Sequence, residues 1–389
     1  MTDAPIIQGP TIQGWCPGAL RPMQSGDGLV VRVRPRGGWL SQAQAAGIAE
    51  LAARHGNGLI DLSARANVQL RGVTAQSHPA LIVGLADLGL LDATPRAETA
   101  RNIVVTPFWS TEDGTPALAN ALMQALAAPD LPILPGKSGY ALDTGPTPVL
   151  RNTSADIRIE RAVGGLIIYA DGAQTGALAD TAQAAIDAVQ ALAHWFVQSG
   201  GIHDGRGRMA ALIAGKAALP PQFNQITVPV APMYHPAPGL VPQGGLVGFE
   251  FGQMQAHTFA QLAALGPLRV TPWRMLLEGA QTLPDIPGLI TRPDDPLLRV
   301  VASTGAPGCV RAHLPTRALA RRLAPLVTSG LLHVSGCAKG CAHPGPATTT
   351  LVATQGGFDL IHNGTAATEP TVRGLSTDAL PALLTEFPQ

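Results

Sequence analysis

The chain contains two weakly similar halves, and this internal duplication limits its fold more than any other feature of its sequence. Residues 101–106 open a segment of the first half in much the same way as residues 298–303 open one in the second. Further on, residues 155–165 parallel residues 349–357. Internal repeats indicate copies of one structural unit, here with pseudo-twofold symmetry and a site in the central seam. We place the linker between the copies within residues 220–239, which contain six prolines.

Each copy begins with a pattern that is typical of a ferredoxin-like α+β unit. In the first copy, residues 28–34 alternate in polarity and predict a strand. Ser41 is then placed to cap a helix whose apolar residues recur at helical spacing until Gly56 and Gly58 end it. The other predicted elements are strands at residues 59–62, 68–71, 244–251 and 268–273 and helices at residues 79–88 and 258–265.

These elements predict an α+β fold made by tandem duplication. We expect two ferredoxin-like half-domains, at residues 20–95 and 240–295, and two mixed α/β lobes, at residues 97–220 and 297–389. The second lobe carries three of the four cysteines of the chain.

The composition excludes several classes of protein. The formal net charge is zero, which argues against a nucleic-acid binder, because such proteins carry a basic excess. No run of about 18 apolar residues indicates a membrane span, and the first residues do not resemble a signal peptide. Four cysteines in 389 residues do not form a disulfide framework. We therefore expect a cytoplasmic protein that keeps cysteines for a metal.

Two of the cysteines, Cys337 and Cys341, lie four positions apart in a glycine-rich stretch with Lys339 between them. Thiolates at this spacing can face one metal centre, and the glycines allow backbone N–H groups to approach the sulfurs. With Cys309 upstream, three thiols could hold an iron–sulfur cluster. Two alternatives remain open: the cysteines are buried small apolar residues, or they form a structural zinc site with His343.

Basic residues recur in the strand and turn patterns of the first copy, although charged residues make up only 13% of the chain. Guanidinium groups bind carboxylates bidentately, so a polycarboxylate ligand would explain them. The alternative is that they lie on the solvated faces of half-buried strands. The residues concerned are Arg32, Arg34, Arg65, Arg71, Arg101, Lys137 and Arg158.

The chain has neither a dinucleotide-binding glycine motif nor a Walker loop. We infer that it does not hold its own nicotinamide and that electrons arrive from another protein. His203 and Asp204 could contribute to a non-haem iron site, but a loop hydrogen bond is the more frequent role of such a pair.

Taken together, these motifs resemble the sirohaem-dependent sulfite and nitrite reductase superfamily over nearly the whole chain. Residues 63–72 look like its tetrapyrrole-binding signature, and residues 131–137 look like its Leu-Pro-x-Lys loop. Arg34 and Arg101 match positions of its anion- and macrocycle-contacting arginines. Cys309, Cys337 and Cys341 match its cluster motif. The resemblance implies a sulfite/nitrite-reductase-like architecture.

Within that superfamily, residues 14–18 and 22–29 resemble the N-terminal signature of the branch that acts in the aerobic cobalamin pathway. This resemblance implies an O₂-dependent monooxygenase reaction, in which precorrin-3A is hydroxylated at C20 and forms a γ-lactone. It also implies a [4Fe–4S] cluster, a separate mononuclear non-haem iron, and NADH that acts through a partner reductase. The ligands of the mononuclear iron and the catalytic residues cannot be assigned from the sequence.

Two departures from the superfamily pattern matter. Ser303 stands where the superfamily has its first cluster cysteine, so the cluster has a variant fourth ligand, Cys16 contributes, or the site is impaired. Lys137 is followed by Ser138 and Gly139 and not by a second lysine, which argues against sulfite or nitrite as the substrate.

The sequence therefore leaves three hypotheses. In the first, the chain is the monooxygenase, with Cys309, Cys337 and Cys341 on the cluster. The second is a sirohaem reductase in which Cys341 bridges cluster and haem. The third is a non-catalytic tetrapyrrole-binding or electron-transfer protein. In the first hypothesis the substrate contacts are Arg34, Arg65, Arg71, Arg101 and Lys137.

Overall fold

The computed structural model describes residues 17–386, which form two compact units. Of these residues, the larger unit contains 17–23 and 29–291, and the smaller unit contains 24–28 and 292–386. A short strand, β1 (Met23–Ser25), lies where the chain first passes from the larger unit to the smaller one. The first part of the N-terminal signature, including Cys16, lies outside the described residues.

The larger unit contains two half-domains that share the order strand, short strand, helix, strand and strand, so the predicted ferredoxin-like pattern is confirmed in both copies. A mixed lobe stands between them in the chain. The first half-domain contains β2 (Gly28–Val33), β3 (Trp39–Leu40), α1 (Gln42–His55), β4 (Leu59–Leu62), β5 (Val68–Val73) and α2 (His78–Asp87). The lobe contains α3 (Pro95–Ala100), β6 (Ile103–Val105), α4 (Thr115–Leu126), β7 (Tyr140–Asp143), β8 (Ile157–Ala162), β9 (Gly165–Ala170), β10 (Thr175–Ala179), α5 (Ala182–Gln198), α6 (Met209–Ala214) and β11 (Ile226–Thr227). The second half-domain contains β12 (Gly239–Val241), β13 (Gly244–Phe249), β14 (Gln253–Gln255), α7 (Ala256–Leu265), β15 (Leu268–Val270), β16 (Met275–Glu278) and β17 (Leu289–Ile290).

The two half-domains exchange a strand with each other. Strand β14 of the second copy joins the first sheet, in the order β2-β5-β4-β14, and pairs Gln253 with Asp61. Strand β3 of the first copy joins the second sheet, in the order β12-β13-β16-β15-β3, and pairs Leu40 with Leu268. Both exchanged strands immediately precede the long helix of their own copy. The exchange is reciprocal, as pseudo-twofold symmetry between the half-domains requires.

The long helices of the two copies, α1 and α7, pack against each other and share one apolar core. Ile48 of α1 and Phe259 of α7 are both fully buried in it. Helix α1 begins as predicted, because the Ser41 Oγ accepts the N–H of Gln44 and the Gln44 side chain accepts the N–H of Ser41. The apolar stripe that predicted the helix is therefore the surface on which the copies meet.

The lobes repeat each other in the same way. In the larger unit, the sheet order is β11-β10-β9-β8-β7-β6, with β6, β7 and β8 parallel and the later pairs antiparallel. The smaller unit has the order β18-β19-β20-β21-β22, with the first three strands parallel and the rest antiparallel. Its elements are β18 (Val300–Ala302), α8 (Arg317–Leu323), β19 (Leu332–Ser335), β20 (Ala347–Thr354), β21 (Gly357–Gly364), β22 (Val372–Leu375) and α9 (Leu380–Glu386).

The duplicated α+β fold class is thus confirmed, although two predicted strands are too long. The strand predicted to end at residue 251 ends at Phe249, because Phe251 has a φ of +55° inside a 3₁₀ turn. The strand predicted to end at residue 273 ends at Val270, before a turn in which Arg274 has a φ of +60°. The domain boundaries given above stay a prediction.

Within the described residues, none of the helices combines the length and the apolar composition that crossing a lipid bilayer requires.

Strand β7 ends in a buried carboxylate, Asp143, which is 1% exposed. Its Oδ2 accepts the N–H groups of Val149 and Leu150 at 2.6 and 2.7 Å. Within the described part of the chain, its Oδ1 is buried without a hydrogen-bond partner. Burial, together with the nearby Glu160, raises the pKa of Asp143 to about 6, although the two N–H bonds oppose the shift.

We expect Asp143 to make the protein less stable as the pH rises. The folded state binds this proton more tightly than the unfolded chain does, so the free energy of unfolding falls as the pH rises through the folded pKa. An increase in the pKa of Asp143 from 3.8 to about 6 corresponds to about 3 kcal/mol of unfolding free energy. Urea unfolding at several pH values measures this, with Asp143→Asn as the variant that lacks the titration.

The difference in unfolding free energy between wild type and Asp143→Asn should therefore fall between about pH 4 and pH 7. The exposed Asp130→Asn is the matched control and should show a constant difference. A constant difference for Asp143→Asn as well would contradict the assignment.

Candidate functional site

The loop before β7 carries Lys137, and the fold of the larger unit holds this loop rigidly. The guanidinium of Arg65 donates to the carbonyl of Lys137 at 2.9 Å. The side-chain amide of Asn102 donates to the carbonyl of Ser138 at 2.6 Å. Arg65 lies in the turn between β4 and β5, so the predicted tetrapyrrole-binding signature and the predicted lysine loop meet here. The Lys137 residue itself is exposed.

The buried Asp156 also holds the loop that carries Lys137. One of its oxygens accepts the N–H of Gly139 at 3.1 Å, and the other accepts the N–H of Met209 at 2.9 Å. Arg208 completes the contact through an ion pair with Asp156 at 3.0 Å. The backbone around Lys137 is therefore fixed by three elements, which leaves the long side chain as its mobile part.

A pocket of about 390 Å³ lies beside this loop, with residues 131–136 and Ser138 in its wall. Arg96 and Thr99 of α3 line it as well, and Arg96 donates to the carbonyl of Leu131 at 3.2 Å. Its wall is more apolar than polar, as is common for small-molecule sites.

Arg34, which we predicted to contact the substrate, is buried against a carboxylate. It is 5% exposed, and its guanidinium lies 3.5 Å from the Glu98 carboxylate, which is 5% exposed. Glu98 also accepts the N–H of Ala19 at 2.5 Å. A Cβ at Gly18 would overlap the Glu98 carboxylate, so a side chain there would have to displace that carboxylate. The end of the first part of the N-terminal signature, at Gly18, thus lies against this ion pair.

Two further arginines of the predicted set are paired in the same manner. Arg71 lies 3.6 Å from Asp61, on the strand that receives β14. Arg101 binds Asp92 bidentately at 2.9 and 2.7 Å and donates to the carbonyl of Arg34 at 2.9 Å. Removing one partner of a buried ion pair strongly destabilises a protein, because the other charge is left buried and unpaired. In the structure these three guanidinium groups lie against carboxylates of the protein itself.

The carboxylate partners were missed by the sequence reasoning. Asp61 lies inside an otherwise apolar strand, and Glu98 is the single acidic residue of a short alanine-containing helix. A charged residue inside an apolar element is the signal that could have found them.

The other basic residues also have protein partners. Arg32 donates to the side chain of Gln69 across the sheet, and Arg158 pairs with Asp171 at 2.7 Å. His203 forms a two-way backbone bridge with Arg206, which matches the loop role that we weighed for it.

In the smaller unit, the three cysteines of the cluster motif are electrostatic neighbours. The Cys341 residue is exposed as a whole, yet burial of its thiol raises the pKa of that thiol, and the nearness of Cys337 and Cys309 raises it further. Lys339 acts in the opposite direction and lowers the pKa of Cys341. The loops that carry Cys309 and Cys337 also contact each other, because the N–H of His313 donates to the carbonyl of Gly336 at 2.9 Å.

Ser303 also lies at these loops, at the end of β18. Its Oγ accepts the N–H of Gly336 at 2.9 Å, immediately before Cys337. Ser335, the last residue of β19, donates its hydroxyl to the carbonyl of Cys337 at 2.7 Å. The residue at the position of the first cluster cysteine is thus bonded to the backbone next to Cys337, but it offers a hydroxyl.

Among residues 17–386, no group of three His, Cys, Asp or Glu side chains is gathered closely enough to hold a single metal ion. The structural zinc site considered above needs four ligands around one ion, and residues 17–386 do not gather such a group. A [4Fe–4S] cluster takes one thiolate on each iron, so its ligands are not gathered around a single ion, and Cys309, Cys337 and Cys341 supply three of the four thiols.

We expect Glu98→Gln to lower the free energy of unfolding by about 3–5 kcal/mol, because it leaves the buried Arg34 without its anionic partner. The change keeps the acceptor for Ala19 and the size of the side chain. Urea unfolding measures it, and the exposed Glu112→Gln is the control. Unchanged stability with weakened ligand binding would instead assign Arg34 to a ligand.

Comparisons with known proteins agree with this architecture. A family model described as the nitrite/sulfite reductase ferredoxin-like half domain matches residues 21–88. The solved structure of the Mycobacterium tuberculosis NirA protein matches with a TM-score of 0.67 and covers 92% of this chain and 79% of that chain. The two sequences are 17% identical, so this likeness shows the fold alone.

A relative named precorrin-3B synthase, from a Sinorhizobium species, is 31% identical to this chain. The match covers 91% of this chain and 83% of the relative. It agrees with the branch that the N-terminal signature indicated. The chain is an enzyme of the precorrin-3B synthase family, within the sulfite and nitrite reductase-like superfamily.

Proposed function

We propose that this enzyme converts precorrin-3A to precorrin-3B, as an O₂- and NADH-dependent monooxygenase of cobalamin synthesis. One oxygen atom of O₂ enters the substrate as the C20 hydroxyl, and the other leaves as water. The two electrons come from NADH through a partner reductase. The observation that carries the proposal is the 31% identity to a precorrin-3B synthase over 91% of the chain.

Cys309, Cys337 and Cys341 are the residues that would hold a [4Fe–4S] cluster. Their support is the match to the cluster motif and the contact between their loops, where the N–H of His313 donates to the carbonyl of Gly336 at 2.9 Å. A bound cluster supplies electrons one at a time. Lys339 lowers the pKa of Cys341, although burial of that thiol raises it.

Lys137 and Arg65 are the direct substrate contacts that we propose in the larger unit. Precorrins carry peripheral carboxylates, and an exposed ammonium on a rigid loop binds such a group by a charge-assisted hydrogen bond. Arg65 donates to the backbone of that loop and so orients the lysine. Arg34, Arg71 and Arg101 support the substrate site by holding its frame, since carboxylates already occupy their guanidinium groups.

A separate mononuclear iron was expected from the resemblance. The described residues gather no set of three side chains that fits one iron ion.

The test of the cluster is anaerobic reconstitution with ferrous iron and sulfide. We expect about four iron and four sulfide per chain and an EPR signal after reduction. Cys337→Ala should lower the iron content, because it removes a thiolate. Cys16→Ala and Ser303→Cys show whether the fourth thiol contributes and whether a cysteine at position 303 changes the EPR spectrum.

The test of the reaction is turnover of precorrin-3A with O₂, NADH and a general ferredoxin reductase system. We expect a product heavier by one oxygen atom, labelled when ¹⁸O₂ is supplied. A sirohaem Soret band with reduction of sulfite or nitrite would identify a sirohaem reductase. A chain without cluster or turnover would be a non-catalytic tetrapyrrole-binding relative.

Lys137→Met should raise KM for precorrin-3A by roughly 10-fold and change kcat little, because a charge-assisted contact to the substrate is lost. Steady-state kinetics measure both constants. Lys137→Arg should retain most of the affinity, and Lys216→Met, at another exposed lysine, is the matched control. An unchanged KM would remove Lys137 from the substrate site.

A further inference from the structure

The loop that carries Cys309 is held by few bonds of its own. The N–H of Cys309 donates to the carbonyl of Gly305 at 2.8 Å, and its carbonyl accepts the N–H of Ala312 at 3.0 Å. The loop has no strand or helix of its own between β18 and α8. A thiol on such a loop is positioned only as well as the peptide groups next to it.

Residues 24–28 of the N-terminal signature supply further bonds to this loop, within the same smaller unit. The Ser25 hydroxyl donates to the carbonyl of Gly308 at 2.8 Å, and the Gly26 N–H donates to the same carbonyl at 3.2 Å. Two donors on one carbonyl restrict the peptide plane between Gly308 and Cys309. That plane sets the direction in which the Cys309 side chain leaves the backbone.

Gly26 is required for this contact by its close approach. A Cβ there would overlap the carbonyl oxygen of Pro307 and would lie 3.0 Å from the carbonyl carbon of Gly308 and 3.2 Å from the nitrogen of Cys309. Its α-carbon therefore lies directly against the backbone of the Cys309 loop, where any side chain would push the loop away.

We propose that Ser25 and Gly26 are positioning residues for Cys309, and that they fix the place of its thiol by holding the carbonyl of Gly308. The inference rests on the proposed cluster role of Cys309. It assigns a physical task to the part of the N-terminal signature that includes Ser25 and Gly26. Groups that orient the ligands of a metal centre typically change its metal affinity by 10–100-fold when they are removed.

The experiment has two readouts on the full chain. In the cluster-free protein, the rate of iodoacetamide alkylation at each cysteine is followed by peptide mass spectrometry. In the reconstituted protein, the rate of iron loss to bathophenanthroline disulfonate is measured, together with the EPR g-values. Ser25→Ala should change the alkylation rate at Cys309 several-fold, leave Cys337 and Cys341 unchanged, and speed iron loss roughly 10-fold.

Ser25→Thr keeps the hydroxyl and should restore both readouts. Gly26→Ala should act more strongly than Ser25→Ala. Gly356→Ala is its matched control, since a Cβ there meets open space in the same unit. If Gly26→Ala fails to fold, the comparison of Ser25→Ala with Ser25→Thr still tests the proposal.

The outcomes separate the two proposals. Wild-type protein without a cluster overturns the proposed function, whereas the alkylation rates still report on the geometry. A normal wild-type cluster with unchanged iron loss and unchanged Cys309 alkylation in Ser25→Ala overturns the positioning role alone. Equal increases at all three cysteines would show a general loosening of the unit and would also overturn it.

Discussion

The reciprocal exchange of β3 and β14 is the constraint on which the rest of the larger unit depends. Each half-domain completes its sheet with a strand from the other copy, and the helices that follow these strands pack against each other. Neither half-domain has a complete sheet or a covered helix face by itself. One core therefore forms from two repeats, and the loops of both are held in a single frame.

Buried ion pairs extend this frame toward the Lys137 loop. Arg71 pairs with Asp61 on the strand that receives β14, and the Asp61 Oδ1 also accepts a hydrogen bond from Gln253 of β14 at 2.7 Å. Arg34 and Arg101 are joined through a backbone carbonyl and face Glu98 and Asp92. Ion pairs that are buried in this way resist separation, because separating them leaves an unpaired charge in an apolar environment. The frame is rigid for this reason, and Lys137 is exposed at its edge.

In the smaller unit, neutral hydrogen bonds hold the loops that carry the cysteines. Hydroxyl groups of Ser25, Ser303 and Ser335 bond to the backbone of the loops that carry the thiols. Such bonds orient the loops without placing a further charged group beside the cysteines. Ser303 is the clearest example, because it stands at the position of the first cluster cysteine and accepts the N–H of Gly336.

The duplicated order of strands and helices could be predicted from the sequence, because hydrophobic alternation, the Ser41 cap and the glycine breaks act over a few residues. The cysteine motif is visible in the sequence through its spacing and the family resemblance, and its role as a cluster site stays a prediction. The exchanged strands could not, since β3 has two residues and β14 has three, too few for any periodicity. The roles of the arginines were decided by tertiary structure alone. Glu98 lies 64 positions from Arg34, and Gly308 lies 283 positions from Ser25. Local patterns specify which face of an element is buried, but only the folded chain brings such distant charges and donors to their partners.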